Sequence, residues 1–317
     1  MQKFKNIVCV LLVGILSCFV FVGCNENKTK IELPENINLS NETSAPLLKV
    51  YDVNTKTIES MELEEYVKGV LAGEIYNDWS IEAIKAQAIL ARTYTLYFLK
   101  NQKSKYEGAD ISNDVTEAQA YDKSKINENI ERAVNETQGK VIVSDGELIE
   151  AWFHSNSGGI TTTAKAGLNY LGEENYTKSV ASPETAENSK DFNWSVTLTK
   201  SEILSALRKM GVSVNTVTDF RIGEKDESGR ASTIIIGDSE VSANTLRLNI
   251  GGTKLKSTLI NDIVVSKNSV TISGKGYGHG VGLSQWGAKV LAEQGKSHTE
   301  IIDYYFKNIK ITNAEYN

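Results

Sequence analysis

Cysteine is nearly absent from this 317-residue chain: three occur, at positions 9, 18 and 24, and none follows. Everything downstream therefore lacks the thiol for a disulfide, a cysteine-ligated metal or a cysteine nucleophile, and those classes fall together. Histidine is equally scarce, at positions 154, 279 and 298 only, so a site built on imidazole has few places to be. Proline is scarce too, and two of the three, Pro34 and Pro46, fall in one polar stretch. No long basic run exists, and a formal net charge of -6 argues against nucleic acid as the main partner. Internal repeats are also missing.

The N-terminus differs in kind from the rest. Lys3 and Lys5 precede an unbroken run of apolar and small residues, Ile7 to Gly23, which reads as an export signal or a membrane anchor. It ends in "FVGC", and a small residue before Cys24 suits a bacterial lipoprotein signal with Cys24 as the lipidation site, although Phe21 replaces the Leu usual three residues earlier. The expected division is residues 1–24 as signal or anchor, 25–46 as a flexible polar spacer, and 47–317 as an extracytoplasmic, membrane-tethered domain of about two units by length.

Along that domain, "LLKVYDVNTKTIESM" has the alternation of a strand hairpin. Leu63, Tyr66, Val67, Val70 and Leu71 follow at helical spacing, with Ser60 as the expected N-cap. A second helix is expected from just after Ser80 to about Lys100, forming a hairpin with the first, and a third over 125–138. "KVIVSDGELIE" reads as a strand hairpin turning at Asp145-Gly146. Residues 194–265 carry strand-like runs, "TLRLNIGG" among them, around one helix at 200–210, and read as an inserted smaller lobe. Two more helices close the chain, one from near Ser284 and one opened by the capping box "SHTE". The fold class is α+β: a helical hairpin core with β-strands, and an inserted α+β lobe completing a substrate groove.

Glu74 breaks the pattern. It lies eleven residues after Leu63, almost three turns at about 3.6 residues per turn, so the apolar stripe runs onto a carboxyl near the helix C-terminus. Burial and the negative helix end both disfavour its charge, and a Glu held protonated can donate a proton. On pattern alone it reads equally as a solvated turn residue beyond the helix.

His298 belongs to the capping box and reads as a surface helix residue. His154 opens "HSNSGGIT", and His279 sits in "GKGYGHGVGLSQWGA", where glycines alternate at 276, 278, 280 and 282. Alternating glycine gives no packing benefit in a strand, so close backbone approach or positive φ is the physical reason left. A backbone-lined site and a tight structural turn both fit. Neither Gly-rich stretch has the Lys-Ser/Thr ending of a phosphate cradle, and no nucleophile elbow surrounds Ser157 or Ser284. A zinc hydrolase would need His154, His279 and a carboxylate without any short ligand spacing. Acid-catalysed cleavage of a sugar carrying its own internal nucleophile asks for less: one carboxyl, plus aromatic platforms such as Tyr76, Trp79, Tyr94, Trp152, Tyr277 and Trp286.

Three ordered segments, "EEYVKGVLAGEI...EAIKAQAILARTY", "AWFHSNSGGITTTA" and "GYGHGVGLSQWGA", resemble the stage II sporulation protein D family, which also includes amidase-enhancer proteins; "LRLNIGGTKLKST" is similar to its middle segment. The resemblance implies a peptidoglycan lytic transglycosylase that cuts the MurNAc-GlcNAc β-1,4 bond and leaves a 1,6-anhydro end, acting in sporulation on glycan strands stripped of peptides. It places the catalytic glutamate on Glu74. It carries over Gln87, Arg92, His154, Ser155, Ser157, Thr161, Tyr277, His279 and Gln285 as substrate-groove or support residues. Some relatives hold zinc near the segment "DISNDVTEAQAY", but Ser112, Asn113 and Ala118 supply no thiol, so no metal and no cofactor are expected. The implied partners are peptide-free glycan strands, the membrane through the N-terminus, and a partner amidase or other cell-wall hydrolase. The alternative is a non-catalytic peptidoglycan-binding enhancer of a cell-wall amidase; a metal-assisted amidase comes third.

Overall fold

The computed structural model describes residues 28–172 and 174–317. The segment read as signal or anchor, with Cys24, lies outside the described residues. Among those described, no helix is long and apolar enough to cross a membrane.

The architecture is mixed α+β. In chain order the α-helices are α1 (Leu63–Glu74), α2 (Ile81–Asn101), α3 (Glu128–Glu136), α4 (Ala164–Leu168), α5 (Lys200–Lys209), α6 (Ala243–Ile250), α7 (Gln285–Glu293) and α8 (His298–Tyr305). Helix α2 touches α1, α3, α7, α8 and the strand Lys140–Ser144. Its small residues explain how: Ala83, Ala86, Ala88 and Ala91 are all without exposed area, so neighbours approach on several sides. One apolar cluster forms between α1 and α2, and a second joins α2 to α7 and α8.

Two sheets flank these helices. In one, the hairpin Pro46–Asp52 and Thr57–Glu62 is joined by Asn38–Leu39 on one side and, in parallel, by Ile111–Ser112. In the other, Lys28–Ile31 runs parallel to the C-terminal strand Lys310–Tyr316, which pairs antiparallel with Lys140–Ser144. Asp145 and Gly146 both take positive φ at the hairpin that follows, as a two-residue turn requires. Where the sequence suggests a flexible spacer, residues 28–46 thus contain two short strands. Ile31, at the end of the first, and Ile37, just before the second, enter the first apolar cluster, too few apolar positions to show a period.

A third apolar cluster gathers residues between Trp194 and Ile272. Its two antiparallel sheets are Asn193–Thr199 with Ser269–Lys275 and Ile260–Val265, and Phe220–Ile222 with Thr233–Ile236 and Ser239–Ser242. The stretch "TLRLNI" within it is not a strand but α6. Ser242 caps it by accepting from Thr245 N–H at 3.2 Å, and Ala243, Leu246 and Arg247 face inward while Leu248 is 62% exposed. The spacing 243, 246, 247 is helical; only the local Leu-Arg-Leu-Asn reads as alternation. Ser60 is likewise not the N-cap of α1: it lies in the strand Thr57–Glu62, and Glu62 occupies the cap without a side-chain bond.

Candidate functional site

Glu74 is the last residue of α1, and Ile75 turns to extended backbone immediately after it. The helix keeps its apolar stripe buried up to that point, so the carboxyl is delivered to the end of the stripe rather than to open solvent. It borders two cavities. One, of about 540 Å³, is lined by Tyr76, Ser155, Asp191, Tyr277 and Gln285 among others. The second, of about 470 Å³, is lined by Tyr94, Trp152, Phe153, His154 and His279 among others. Glu74 is the residue common to both linings. A third cavity, about 570 Å³, lies between the Pro34–Ile37 turn and residues 99–110 and touches none of the motif residues.

Burial holds the Glu74 carboxyl above its ordinary range. Two contacts work the other way without overturning this: Ala120 N–H donates to Oε1 at 2.7 Å, and the Gln285 amide is directed at the carboxyl, with its Nε2 closing no full hydrogen bond. Because Oε1 is already an acceptor, Oε2 is the oxygen free to carry the proton.

What brings Ala120 to the carboxyl is a pair of glycines one helical turn apart. A Cβ on Gly69 would stand 2.1 Å from the Tyr121 ring, and one on Gly73 would stand 2.6 Å from Tyr121 N and 2.8 Å from Ala120 C. The 119–122 segment lies flat on this face, and Asp122 N–H donates to Gly69 O at 2.9 Å. Gly73→Ala is expected to destabilise the fold by about 1–3 kcal/mol, more than the roughly 1 kcal/mol alanine otherwise gains in a helix. It should also displace Ala120 and so push Glu74 further up. Thermal melting checks this; an unchanged melting temperature would show that the segment moves without cost.

Of the other expected site residues, Ser155, Tyr277 and Gln285 line the first cavity and His154 and His279 the second. Their placement follows from the short parallel pair Phe153–His154 and Leu283–Ser284, with Gln285 next in sequence. Gly278 lets the glycine loop lie on this pair: its φ is +116°, and a Cβ would stand 2.6 Å from that of His154. His279 spends both ring nitrogens, Nδ1 accepting from Val281 N–H and Nε2 donating to Phe153 O, each at 3.0 Å. Burial, then the Arg247 charge, push it down to about 3, so it is neutral and acts as a brace. His154 donates from Nδ1 to Val281 O at 3.0 Å, which leaves Nε2 a bare acceptor; burial and its cationic neighbours hold it neutral too.

Arg92, Ser157 and Thr161 line neither cavity. Arg92 has no exposed area and forks onto Glu64, with Nη2 to Oε2 at 2.6 Å and Nε to Oε1 at 2.9 Å, while Nη1 donates to Lys140 O. It ties α2 to the start of α1, a structural role that a motif position does not distinguish from substrate binding. Thr161 donates to Lys178 O at 3.0 Å. Ser157 donates to Glu184 from its hydroxyl at 2.5 Å and its N–H at 2.8 Å. Glu184, a residue the sequence does not single out, also accepts from Ser284 Oγ at 2.7 Å and from Ser182. It thereby joins the hydroxyl cluster to the N-cap of α7, two residues from buried Trp286 and one from Gln285.

Unsatisfied polar atoms gather around Glu74. Among the described residues, Gln119 Oε1, Glu117 Oε2, His154 Nε2 and Gln285 Nε2 are buried without a partner, and all four residues border the same two cavities. Gln87 adds both amide atoms; it lines neither cavity but lies two turns before Tyr94 on α2. Buried polar groups left open call for an explanation, and a bound polar ligand or ordered water supplies one. Among the described residues no group of three or more His, Cys, Asp and Glu is arranged to hold a metal. His298, meanwhile, meets Glu82 at 2.7 Å and links α8 to α2.

A family model described as "Stage II sporulation protein" matches residues 51–143, the segment that contains α1, α2 and Glu74. A second model, described as a domain of unknown function, matches residues 154–282. A Bacillus amyloliquefaciens protein named Stage II sporulation protein D is 33% identical over 282 residues, covering 84% of this chain and 78% of its own length. The Bacillus subtilis protein of that name is 30% identical over 285 residues, with 84% and 79% covered. A Bacillus subtilis protein named Amidase enhancer is 30% identical over 292 residues, with 78% of this chain and 40% of that protein covered.

Proposed function

We propose that this chain, which belongs to the stage II sporulation protein D family, is a lytic transglycosylase of peptidoglycan. The observation that carries the reading is a single carboxyl, raised by burial, at the junction of two cavities. Of the other wall carboxyls, Asp191 pairs with Lys256, and Glu117, which accepts on Oε1 from Ser104 and Lys105 and leaves Oε2 open, borders the second cavity alone. One acid at the junction suits a reaction in which the substrate brings its own nucleophile. Glu74 gives its proton to O4 of GlcNAc as the C1–O4 bond breaks. The 6-hydroxyl of the same MurNAc closes on C1 and returns a proton to Glu74, leaving a 1,6-anhydro end.

The setting belongs to the same proposal: an exported protein, tethered by a lipid on Cys24, acting on septal peptidoglycan during sporulation. The relative named Amidase enhancer favours a second reading, a peptidoglycan-binding protein that stimulates a partner amidase. Incubating peptide-free glycan strands with this protein alone separates them. The first reading expects shortened glycan fragments; the second expects binding and intact strands.

Cleavage also has an expected pH dependence. Its rate should fall on the alkaline side as Glu74 ionises, at a pH above the ordinary carboxyl value of 4.5. Fragment release followed from acid to alkaline pH checks this, and a flat profile contradicts a proton-donating Glu74.

A further inference from the structure

The two cavities that meet at Glu74 differ in charge. Around the first stand three lysines: Lys125 in the wall, Lys190 Nζ 5.4 Å from the Tyr76 ring centre, and Lys256 Nζ 5.3 Å from that of Tyr277. Lys125 is answered by Asp122 at 2.8 Å and Lys256 by Asp191, but no carboxyl among the described residues pairs with Lys190. The second cavity has no lysine or arginine in its lining; Lys105 reaches its wall, donating from Nζ to Thr116 at 2.7 Å, but is answered by Asp114 at 2.7 Å. Beside Thr116 and Gln119 its walls are aromatic and aliphatic, its two histidines are neutral, and Glu117 presents a partnerless Oε2. Arg230 and Arg247 act on both histidines from behind the glycine loop, and Arg247 also acts on Tyr277, so they do not separate the two sides.

We propose that this difference fixes the direction of the glycan across Glu74: the carboxylate-bearing MurNAc occupies the Tyr76–Tyr277 cavity, and the uncharged GlcNAc occupies the Trp152–His154 cavity. The inference rests on the transglycosylase reading for the position of the scissile bond, but its binding content stands apart from cleavage. A lactyl carboxylate in the second cavity would shed water against apolar walls and face Glu117 with no unpaired cation to answer it. In the first it meets Lys190, with the Tyr76 and Tyr277 rings as platforms for the sugar faces. GlcNAc suits the second cavity because its acetamido N–H can donate to the bare Nε2 of His154, while the acetyl methyl packs on apolar wall. The anhydro sugar would then form on the lysine side, and the GlcNAc leaving group would depart on the histidine side.

The test is equilibrium binding to the full-length protein carrying Glu74→Gln, with two probes: a peptide-free tetrasaccharide of alternating GlcNAc and MurNAc, and uncharged chitotetraose. Lys190 and Leu248 are both exposed, one beside each cavity, so a charge placed at either is tolerated by the fold. Lys190→Glu is expected to weaken the anionic probe about tenfold and chitotetraose less than about twofold. Leu248→Glu is expected to change both probes alike. Selective loss of the anionic probe with Leu248→Glu instead would reverse the direction, and equal losses of both probes with Lys190→Glu would overturn the charge argument. Selectivity without cleavage by the parent would keep the direction and sink the transglycosylase; cleavage without selectivity would do the opposite.

Discussion

Replacing Glu74 with glutamine is expected to lower glycan cleavage by about 10²–10⁴-fold, the usual contribution of a positioned acid and base, while glycan binding is retained. Glutamine keeps the side-chain shape and an oxygen for Ala120 N–H, and removes only the transferable proton. Stability should move the other way. The native carboxyl is raised above 4.5, so the folded state binds the proton more tightly than the unfolded chain. The stabilisation from that proton is fully present below the unfolded value and lost as pH rises through the folded one. Glutamine has no charge to bury, so at neutral pH the variant should melt at or above the parent, and the gap should close below about pH 4.5. Fragment release and calorimetry across pH read the two effects separately. A variant that still cleaves moves the acid elsewhere.

Glu184→Ala is expected to destabilise the fold by about 2–5 kcal/mol, from buried donors that each lose an acceptor at about 1–3 kcal/mol. Four donor groups converge on this carboxyl: Ser157 N–H and Oγ, Ser182 Oγ and Ser284 Oγ. Ser182 also bonds Tyr305 in α8 at 2.7 Å, so the network reaches from the hydroxyl cluster to the last helix. Alanine would leave the Ser157 and Ser284 hydroxyls buried without this acceptor, while Ser157 N–H keeps Ser284 Oγ at 3.2 Å and Ser182 keeps Tyr305. The loss also loosens the N-cap of α7 and with it Gln285, so activity should fall more than the folded fraction alone explains. Denaturant unfolding checks the first part. A loss below about 1 kcal/mol would mean that water replaces the carboxyl.

Much of this was readable before the structure, where a repeating pattern existed. The stripe of α1, the start of α2 at Ser80, the turn at Asp145-Gly146 and the capping box at Ser297 all rest on local periodicity or local hydrogen bonding, and the structure holds each. α6 was not readable, because Leu-Arg-Leu-Asn mimics alternation and only its capping serine and its packing make it a helix. Arg92 reads equally as a groove or a support residue, because its pairing with Glu64 depends on two helices meeting, which no local signal encodes. Glu184 carries no pattern, since its partners lie up to 100 residues away. Gly69 and Gly73 did carry one: helix-interior glycines four apart cost stability and need a close neighbour, here the segment that holds Glu74.

The most direct measurement is the chemistry of the new chain end. Peptide-free glycan strands would be incubated with the purified protein and the products weighed by mass spectrometry. The account predicts fragments ending in 1,6-anhydroMurNAc, one water lighter than hydrolysed fragments, and none with Glu74→Gln. Fragments with ordinary reducing ends, or intact strands in the presence of folded, glycan-bound protein, would contradict it.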